Sequence, residues 1–181
     1  MTPTILVAGV GNIFLGDDAF GVEVALSLTR RRLPESVLVK DFGIRGFDLA
    51  YTLLDPWDTV IIVDAMPRGE APGTLYVVEP NLAGLGDLAS PDMAMNPHGM
   101  DPVRVLNLAA TTMGPISAQV LIVGCEPNDF GDELDGRMGL SSLVQASVEE
   151  AANMVEELVG RMLATKKAAT DAVTNSGEVT Q

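Results

Sequence analysis

Residues 5–21 read ILVAGVGNIFLGDDAFG, and this stretch determines the predicted fold. It begins with a run of apolar residues that hardly alternates, as expected for a strand covered on both faces in a parallel sheet. Gly9, Gly11 and Asn12 follow, and these residue types adopt the backbone angles of a sharp turn at little cost. Asp17 and Asp18 come next, at the start of a predicted helix. The stretch therefore predicts a strand, a turn and a helix of an α/β protein, with two carboxylates at the edge where such proteins bind ligands.

The composition is that of one acidic domain. The chain has 181 residues, a common size for a single domain, and 47% of them are apolar. Twenty-five acidic residues against 11 basic ones give a net charge of −14. Because this charge repels phosphates, we expect no binding to nucleic acid or to anionic membranes. The sequence also lacks an apolar run of the roughly 20 residues that a membrane helix needs, and lacks a signal-peptide pattern, so we expect a cytoplasmic protein.

Cys125 is the only cysteine. A single cysteine excludes an internal disulfide and a cysteine metal cluster, so any metal must bind through oxygen and nitrogen. Because Cys125 follows an apolar strand, we interpret it as a small core residue rather than as a nucleophile. A serine hydrolase is disfavoured as well, because the sequence contains no Gly-x-Ser-x-Gly elbow.

The rest of the chain alternates between apolar strands and amphipathic helices. Strands are predicted at residues 4–10, 37–40, 59–64, 74–79 and 119–123, and helices at residues 20–32, 47–54, 102–112 and 143–162. Ser142 and Gln145 fit a capping box for the last helix. The connection between the third and fourth strands is too short for a crossover helix, which is compatible with antiparallel neighbours.

This order of elements predicts an α/β fold. We expect a three-layer α/β/α sandwich with a mostly parallel sheet of about five strands. A single domain is predicted over residues 1–163. Residues 164–181 are polar and small and have no apolar periodicity, so we expect them to form a flexible C-terminal tail.

Three potential metal ligands follow the predicted strands. Asp18 comes after the first strand, Asp64 ends the third, and His98, the only histidine, follows a long loop. Two carboxylates and an imidazole suit zinc, nickel or another transition ion and leave positions for water or substrate. Each residue also has a simpler interpretation, as a helix-stabilising acid, a turn residue and an isolated histidine respectively. Their occurrence together favours a metal-dependent site.

Nucleotide binding is the alternative for the opening stretch. Gly9 and Gly11 match the first two glycines of the dinucleotide fingerprint, and Asp41, after the second strand, matches its ribose-binding acid. Phe14 stands in place of the third glycine, and two negative charges follow at the helix start where a pyrophosphate should bind. Nucleotide binding is therefore the weaker interpretation.

Seven short motifs occur in order along residues 4–160. They are GVGN at 9–12, GDDAFG at 16–21, DFGIRG at 41–46, VDA at 63–65, PHG at 97–99, GCEP at 124–127 and GLS at 139–141. Together they resemble the motifs of hydrogenase maturation endopeptidases, which trim the C-terminal extension from the large-subunit precursor of a nickel–iron hydrogenase. The resemblance implies one cleavage, after nickel insertion, just beyond a basic residue that follows the last metal-ligating cysteine motif of the precursor.

The resemblance also implies roles for particular residues. The metal-binding positions of the family, which serve catalysis too, fall on Asp18, Asp64 and His98; in several relatives the first of these is Glu. The turn that contains Asp41, Gly43 and Gly46 matches a segment thought to recognise the precursor, with Ile44 where Thr is often found.

The implied metal is nickel, carried by the precursor, and other divalent ions are expected to occupy the site in vitro. The implied partner is the large-subunit precursor itself, and we expect the chain to act as a monomer. A chaperone that binds the nickel-loaded precursor without cutting it is the other alternative.

Overall fold

The computed structural model describes residues 4–82, 102–112, 114–131 and 136–176. Its strands are β1 (Ile5–Val10), β2 (Val37–Gly43), β3 (Thr59–Ala65), β4 (Leu75–Val78) and β5 (Gln119–Cys125). A short 3₁₀ helix (Gly16–Ala19) leads into α1 (Phe20–Thr29), and the other helices are α2 (Gly46–Thr52), α3 (Pro102–Thr112) and α4 (Ser142–Ser176).

The strands form one sheet in the order β2-β1-β3-β5-β4. All neighbours are parallel except β4, which runs antiparallel to β5 at the edge. The antiparallel pairing of the third and fourth strands that the short connection allowed does not form; β4 is antiparallel, but to β5. Since β3 pairs with β1 on one side and with β5 on the other, neither of its edges is available to β4.

Apolar residues alternate between two cores, one on each face of the sheet, because successive side chains of a strand point to opposite faces. The core under α1 and α4 includes Val7, Val63, Val123, Val24 and Val148. The core under α2 and α3 includes Leu6, Ile62, Ile122, Leu49 and Leu106. The three-layer α/β fold predicted from the sequence is confirmed.

Helix α1 starts in direct contact with the ends of two strands. A Cβ atom on Gly21 would lie 2.1 Å from the Val63 carbonyl oxygen and 2.3 Å from that of Val10. Both distances are far below van der Waals contact, so only glycine fits there. This contact places the start of α1, and the acids just before it, against the carboxyl end of β3.

Helix α1 ends at Thr29 rather than at residue 32. The residues beyond it leave the helix, and Arg31 pairs with two acids of α4: its guanidinium lies 2.7 Å from Glu149 and also contacts Glu156. Arg31 therefore joins the end of α1 to α4 through tertiary ion pairs.

Helix α4 starts near the predicted residue but ends much later. It begins at Ser142, so Ser141 occupies the N-cap position and its hydroxyl accepts the Val144 N–H at 3.5 Å; the capping box predicted on Ser142 is wrong. Residues 164–176 continue the helix, which their alanines and lysines favour. Lys166 adds an ion pair of 2.6 Å to Asp58. The flexibility of residues 164–176 stays a prediction, and 177–181 lie outside the described residues.

Among the described residues, no helix combines the length and the apolar character needed to cross a membrane. The cytoplasmic location stays a prediction.

Candidate functional site

The carboxyl ends of four parallel strands meet at one edge of the sheet. Gly9 of β1 pairs with Asp41 of β2 on one side and with Val63 of β3 on the other. Asp64 in turn pairs with Gly124 of β5. The turn after β1, the end of β3 and the end of β2 therefore lie at the same level, and this edge carries the candidate site.

Asp18 lies in the 3₁₀ helix and is half-buried. Its Oδ2 accepts the N–H of Asn12 at 2.8 Å, which folds the loop after β1 back over the carboxylate. Burial raises the pKa of Asp18 above its ordinary value, and the Asn12 hydrogen bond offsets only part of that effect. Gly11 makes the fold-back possible: its φ is +137°, and a Cβ there would lie 1.7 Å from the Asp18 carbonyl oxygen.

Asp64 is almost fully buried at the end of β3, with 4% of its surface exposed. Its Oδ1 accepts the N–H of Ala65 at 2.9 Å. The ring of Tyr76 packs against Gly124, the partner of Asp64 in β5, and the Tyr76 hydroxyl donates to the Met66 carbonyl. Burial and nearby acids, Asp64 among them, raise the pKa of Tyr76 to about 12. A neutral phenol therefore accompanies the carboxylate at this edge.

His98 lies outside the described residues, so its predicted place beside Asp18 and Asp64 stays a prediction. In the described ranges, no three His, Cys, Asp or Glu side chains come together in a way that could hold a metal ion. The described residues thus supply two members of the predicted ligand set, Asp18 and Asp64. The third member, His98, lies outside them.

Asp17 is fully buried and binds a distant segment of the chain. Its carboxylate accepts the N–H groups of Asn128 at 2.8 Å and Asp129 at 3.0 Å, and both the N–H and the hydroxyl of Ser141, at 2.6 and 2.9 Å. Burial by itself would raise the pKa of Asp17, but these hydrogen bonds outweigh it and lower that pKa. Asp17 therefore joins the loop after β5 to the loop after β1 and does not simply stabilise the start of α1.

The turn at residues 41–46 connects β2 to α2. Asp41 is exposed, Gly43 has a φ of +54°, and Gly46 is the buried first residue of α2. Arg45, which the sequence analysis did not single out, donates from its guanidinium to the carbonyl oxygens of Phe42 and Asp41. The arginine thus fixes the backbone of the turn, while the Asp41 carboxylate faces solvent.

Glu126 organises the other side of the edge. It directly follows β5, is 5% exposed, and accepts the N–H groups of Arg68 at 2.7 Å and Gly69 at 3.2 Å. Burial opposes its ionisation, but the backbone hydrogen bonds and the charge of Arg68 prevail, so the pKa of Glu126 is lowered. The loop that follows Asp64 is held in place by this carboxylate.

Cys125, the residue before Glu126, is fully buried in the core, as predicted. Burial and the negative charges of Asp17 and Glu126 raise the pKa of its thiol to about 12. The thiol is therefore protonated at neutral pH, which disfavours a nucleophilic role.

Comparison with known proteins identifies the family. The model of a family described as HycI, hydrogenase maturation protease, matches residues 22–158. The chain belongs to the hydrogenase maturation protease family. The resemblance inferred from the motifs is thereby confirmed. The family is shown by sequence comparison, and the position of the acids at the carboxyl edge of the sheet is shown independently by the strand pairing.

Relatives within the hydrogenase maturation protease family differ in how much of their length the chain spans. The hydrogenase 2 maturation protease of Escherichia coli (strain K12) is 33% identical over 156 residues, which cover 83% of this chain and 87% of that protein. The hydrogenase expression/formation protein HupM of Azotobacter chroococcum mcd 1 is 36% identical over 141 residues, covering 74% of this chain and 63% of that protein. The chain spans less than two thirds of the first curated relatives that it matches.

Solved structures of hydrogenase maturation proteases have the same fold. The hydrogenase maturating endopeptidase HybD from E. coli aligns with a TM-score of 0.66 and 28% identity, over 90% of this chain and 94% of that one. The hydrogenase 2 maturation peptidase from Thaumarchaeota archaeon SCGC_AB-539-E09 gives a TM-score of 0.63 at 31% identity, covering 86% and 97%.

Sequence reasoning located the carboxyl edge of this maturation protease fold but missed how it is held together. The roles of Asp17 and Glu126 depend on hydrogen bonds to backbone groups far away in the sequence, which no local pattern specifies. One signal was present: Asp17, Glu126 and Ser141 all belong to the short motifs GDDAFG, GCEP and GLS.

Proposed function

We propose that this protein is an endopeptidase that removes the C-terminal extension of a nickel–iron hydrogenase large-subunit precursor after nickel insertion. The observation that carries the proposal is the shared edge: β1 and β3 are parallel neighbours, Asp64 lies at the carboxyl end of β3, and Asp18 lies in the 3₁₀ helix that follows β1, in a protein of the maturation protease family. In open α/β sheets this edge is where ligands bind.

We assign nickel to the substrate, not to the resting protein. Asp18, Asp64 and His98 are proposed to contact the nickel of the precursor, and oxygen and imidazole donors without a thiolate suit a loosely held, exchangeable ion. Other divalent ions should occupy the same position in vitro. Contact with the ion serves as a checkpoint that nickel has been inserted, and the ion can also polarise the scissile carbonyl or activate water.

The chain's own residues prepare this contact. Asp18 is held by the Asn12 N–H and Asp64 by the Ala65 N–H, so neither carboxylate has to be ordered when the precursor binds. Asp17 and Glu126 fix the loops on either side. We assign precursor recognition to the turn that contains Asp41.

The acidic charge is proposed to help recruit the precursor. A net charge of −14 attracts a segment that bears a basic residue next to the cleavage point. Processing should then slow as the ionic strength rises, since 0.1 M salt largely screens the attraction between exposed charges that lie more than about 10 Å apart. A processing rate that does not change with salt contradicts this part of the proposal.

Mass spectrometry of the precursor tests the reaction. The wild-type protein is incubated with nickel-loaded precursor and, separately, with nickel-free precursor. We expect loss of the C-terminal extension from the loaded form only. Binding of the loaded precursor without a change in its mass would instead identify a chaperone, and a tight nucleotide complex with no cleavage would support nucleotide binding.

Substitutions in the proposed ligand set test the assignment of residues. His98→Ala should abolish processing, and wild-type rates in that variant contradict the ligand assignment. Asp18→Glu should retain activity if the longer acid found in several relatives reaches the same ion. Exposed Asp55→Asn is the matched control, because Asp55 lies just before the amino end of β3, whereas the proposed ligands lie at the carboxyl edge, and it should leave processing unchanged.

The protein is proposed to act as a monomer in the cytoplasm. Sedimentation at working concentration, with and without precursor, tests the oligomeric state. A stable dimer of the free protein contradicts it.

A further inference from the structure

Large apolar side chains are exposed in the loops around the candidate site. We define the apolar rim as five residues that are all at least 41% exposed: Ile13, Phe14, Ile44, Phe47 and Met138. The two phenylalanines are 56% and 67% exposed. Aromatic and aliphatic side chains grouped at a surface are typical of sites that bind other proteins.

Backbone contacts bring the three rim segments to the same edge. The N–H of Gly11 donates to the Gly43 carbonyl at 3.1 Å, which joins the loop of Ile13 and Phe14 to the turn of Ile44. The N–H of Gly16 donates to the Arg137 carbonyl at 2.7 Å, which joins that loop to the segment containing Met138. The three rim segments therefore adjoin one another through the loop that leads into the 3₁₀ helix of Asp18.

The rim is held in position before any partner binds. The N–H of Phe14 donates to Asn12 Oδ1 at 3.0 Å, and the N–H of Asn12 donates to Asp18. On the other side, Arg45 donates to the carbonyl oxygens of Asp41 and Phe42 and so fixes the turn that contains Ile44. Because these segments are already ordered, they lose less conformational entropy when a partner binds than a flexible surface would.

Charges near the rim favour a basic partner. Asp41 and Asp48 are exposed on either side of Ile44 and Phe47. The guanidinium of Arg45 is engaged with backbone carbonyls, and that of Arg137 forms an ion pair of 2.7 Å with Asp129. An apolar segment with a basic residue beside it therefore complements this surface in both respects.

We propose that the apolar rim binds apolar side chains of the precursor segment that flanks the scissile bond, with the neighbouring basic residue facing Asp41 and Asp48. This inference rests on the proposed function and adds to it a binding surface for the polypeptide, separate from the acids that contact nickel. The rim determines affinity for the precursor, and the acids Asp18 and Asp64 determine whether the precursor is cleaved.

Variants of the rim test the proposal through binding and kinetics. Phe14→Ser and Phe47→Ser are made singly and together, with Leu26→Ser as control, because Leu26 is a 40% exposed leucine on α1 outside the rim. The Kd for nickel-loaded precursor is measured by interferometry, and KM and kcat by mass spectrometry. We expect each single rim variant to raise Kd and KM about 10-fold and the double variant to raise them further, toward about 100-fold, with kcat nearly unchanged, and the control to stay within about 2-fold.

The outcomes separate this inference from the proposed function. If the wild type binds but does not cleave the precursor, the proposed function fails. The ratio of the Kd of each rim variant to that of the wild type then still tests whether the rim binds the precursor. If the wild type cleaves and the rim variants match Leu26→Ser in Kd and KM, the rim proposal is overturned. It is also overturned if the wild type binds no precursor, or if sedimentation shows that the rim variants convert a dimer of this chain to monomers.

Discussion

Replacement of Asp17 by alanine should strongly destabilise the fold. The substitution removes an acceptor that is fully buried and receives four hydrogen bonds, three from N–H groups and one from the Ser141 hydroxyl. At about 1 kcal/mol each, these bonds sum to about 4 kcal/mol. We use about 1 kcal/mol rather than the larger value of about 1.5–3 kcal/mol for a bond to a charged group, because Asn128 and Asp129 are exposed and water can replace the lost carboxylate.

We therefore expect Asp17→Ala to lower the free energy of unfolding by about 3–4 kcal/mol, a large share of the roughly 5–15 kcal/mol typical of a domain. With an m-value of about 2 kcal/mol per molar urea, the unfolding midpoint should fall by nearly 2 M. Asp17→Asn should be milder, at about 1–2 kcal/mol, because Oδ2 alone accepts three of the four bonds and the amide oxygen can take its place.

Urea unfolding followed by circular dichroism measures these changes. The control is Asp55→Ala, an exposed acid for which we expect a change within about 0.5 kcal/mol. Hydrogen exchange adds a local readout, since the amides of Asn128 and Ser141 should exchange faster in Asp17→Ala. If the alanine variant loses less than about 1 kcal/mol, or no more than the control, the reasoning about this carboxylate is refuted.

Three further predictions concern the core and the edge. Gly21→Ala should lower the urea midpoint of unfolding by more than about 1 M, because its Cβ would lie 2.1 Å from the Val63 carbonyl oxygen. The control is Gly160→Ala, in an open position of α4, which should leave the free energy of unfolding unchanged or raise it by up to about 1 kcal/mol. Since the pKa of folded Glu126 is lowered, the stability that this residue contributes should be present at pH 7 and lost as the pH falls below about 4.5. The difference in urea midpoint between wild type and Glu126→Gln should therefore shrink below about pH 4.5. A difference that does not change with pH argues against this contribution. Cys125 should react with iodoacetamide at pH 8 only in urea, and rapid alkylation of the native protein contradicts its burial.

Much of the fold follows from short-range patterns in the sequence. The apolar runs that became β1, β3 and β5 were recognisable because a strand buried on both faces has almost no polar residue. The order of the strands was less accessible. β4 follows β3 closely along the chain, yet it pairs with β5, because parallel pairing with β1 and β5 occupies both edges of β3. Pairing partners depend on competition among all strands, which local spacing does not contain.

The site was predictable in its location and less so in its construction. Parallel strands bring their carboxyl ends together, so the position of Asp18 and Asp64 on one edge could be inferred from the strand pattern. The partners of Asp17 could not, since Ser141 lies 124 residues further along the chain. The helix of residues 164–176 was not predicted, because these residues have no apolar periodicity, whereas alanine and lysine favour helix without it.

The acids at the carboxyl edge are proposed to contact the nickel of the precursor during cleavage. A direct test is the single-turnover rate of Asp64→Asn with nickel-loaded precursor, beside wild type and the exposed control Asp55→Asn. Asparagine keeps the oxygen that accepts the Ala65 N–H, so the fold should persist while the charge is lost. We predict that processing slows about 100-fold or more in Asp64→Asn and not in the control. Processing by a folded Asp64→Asn at the wild-type rate would contradict the account.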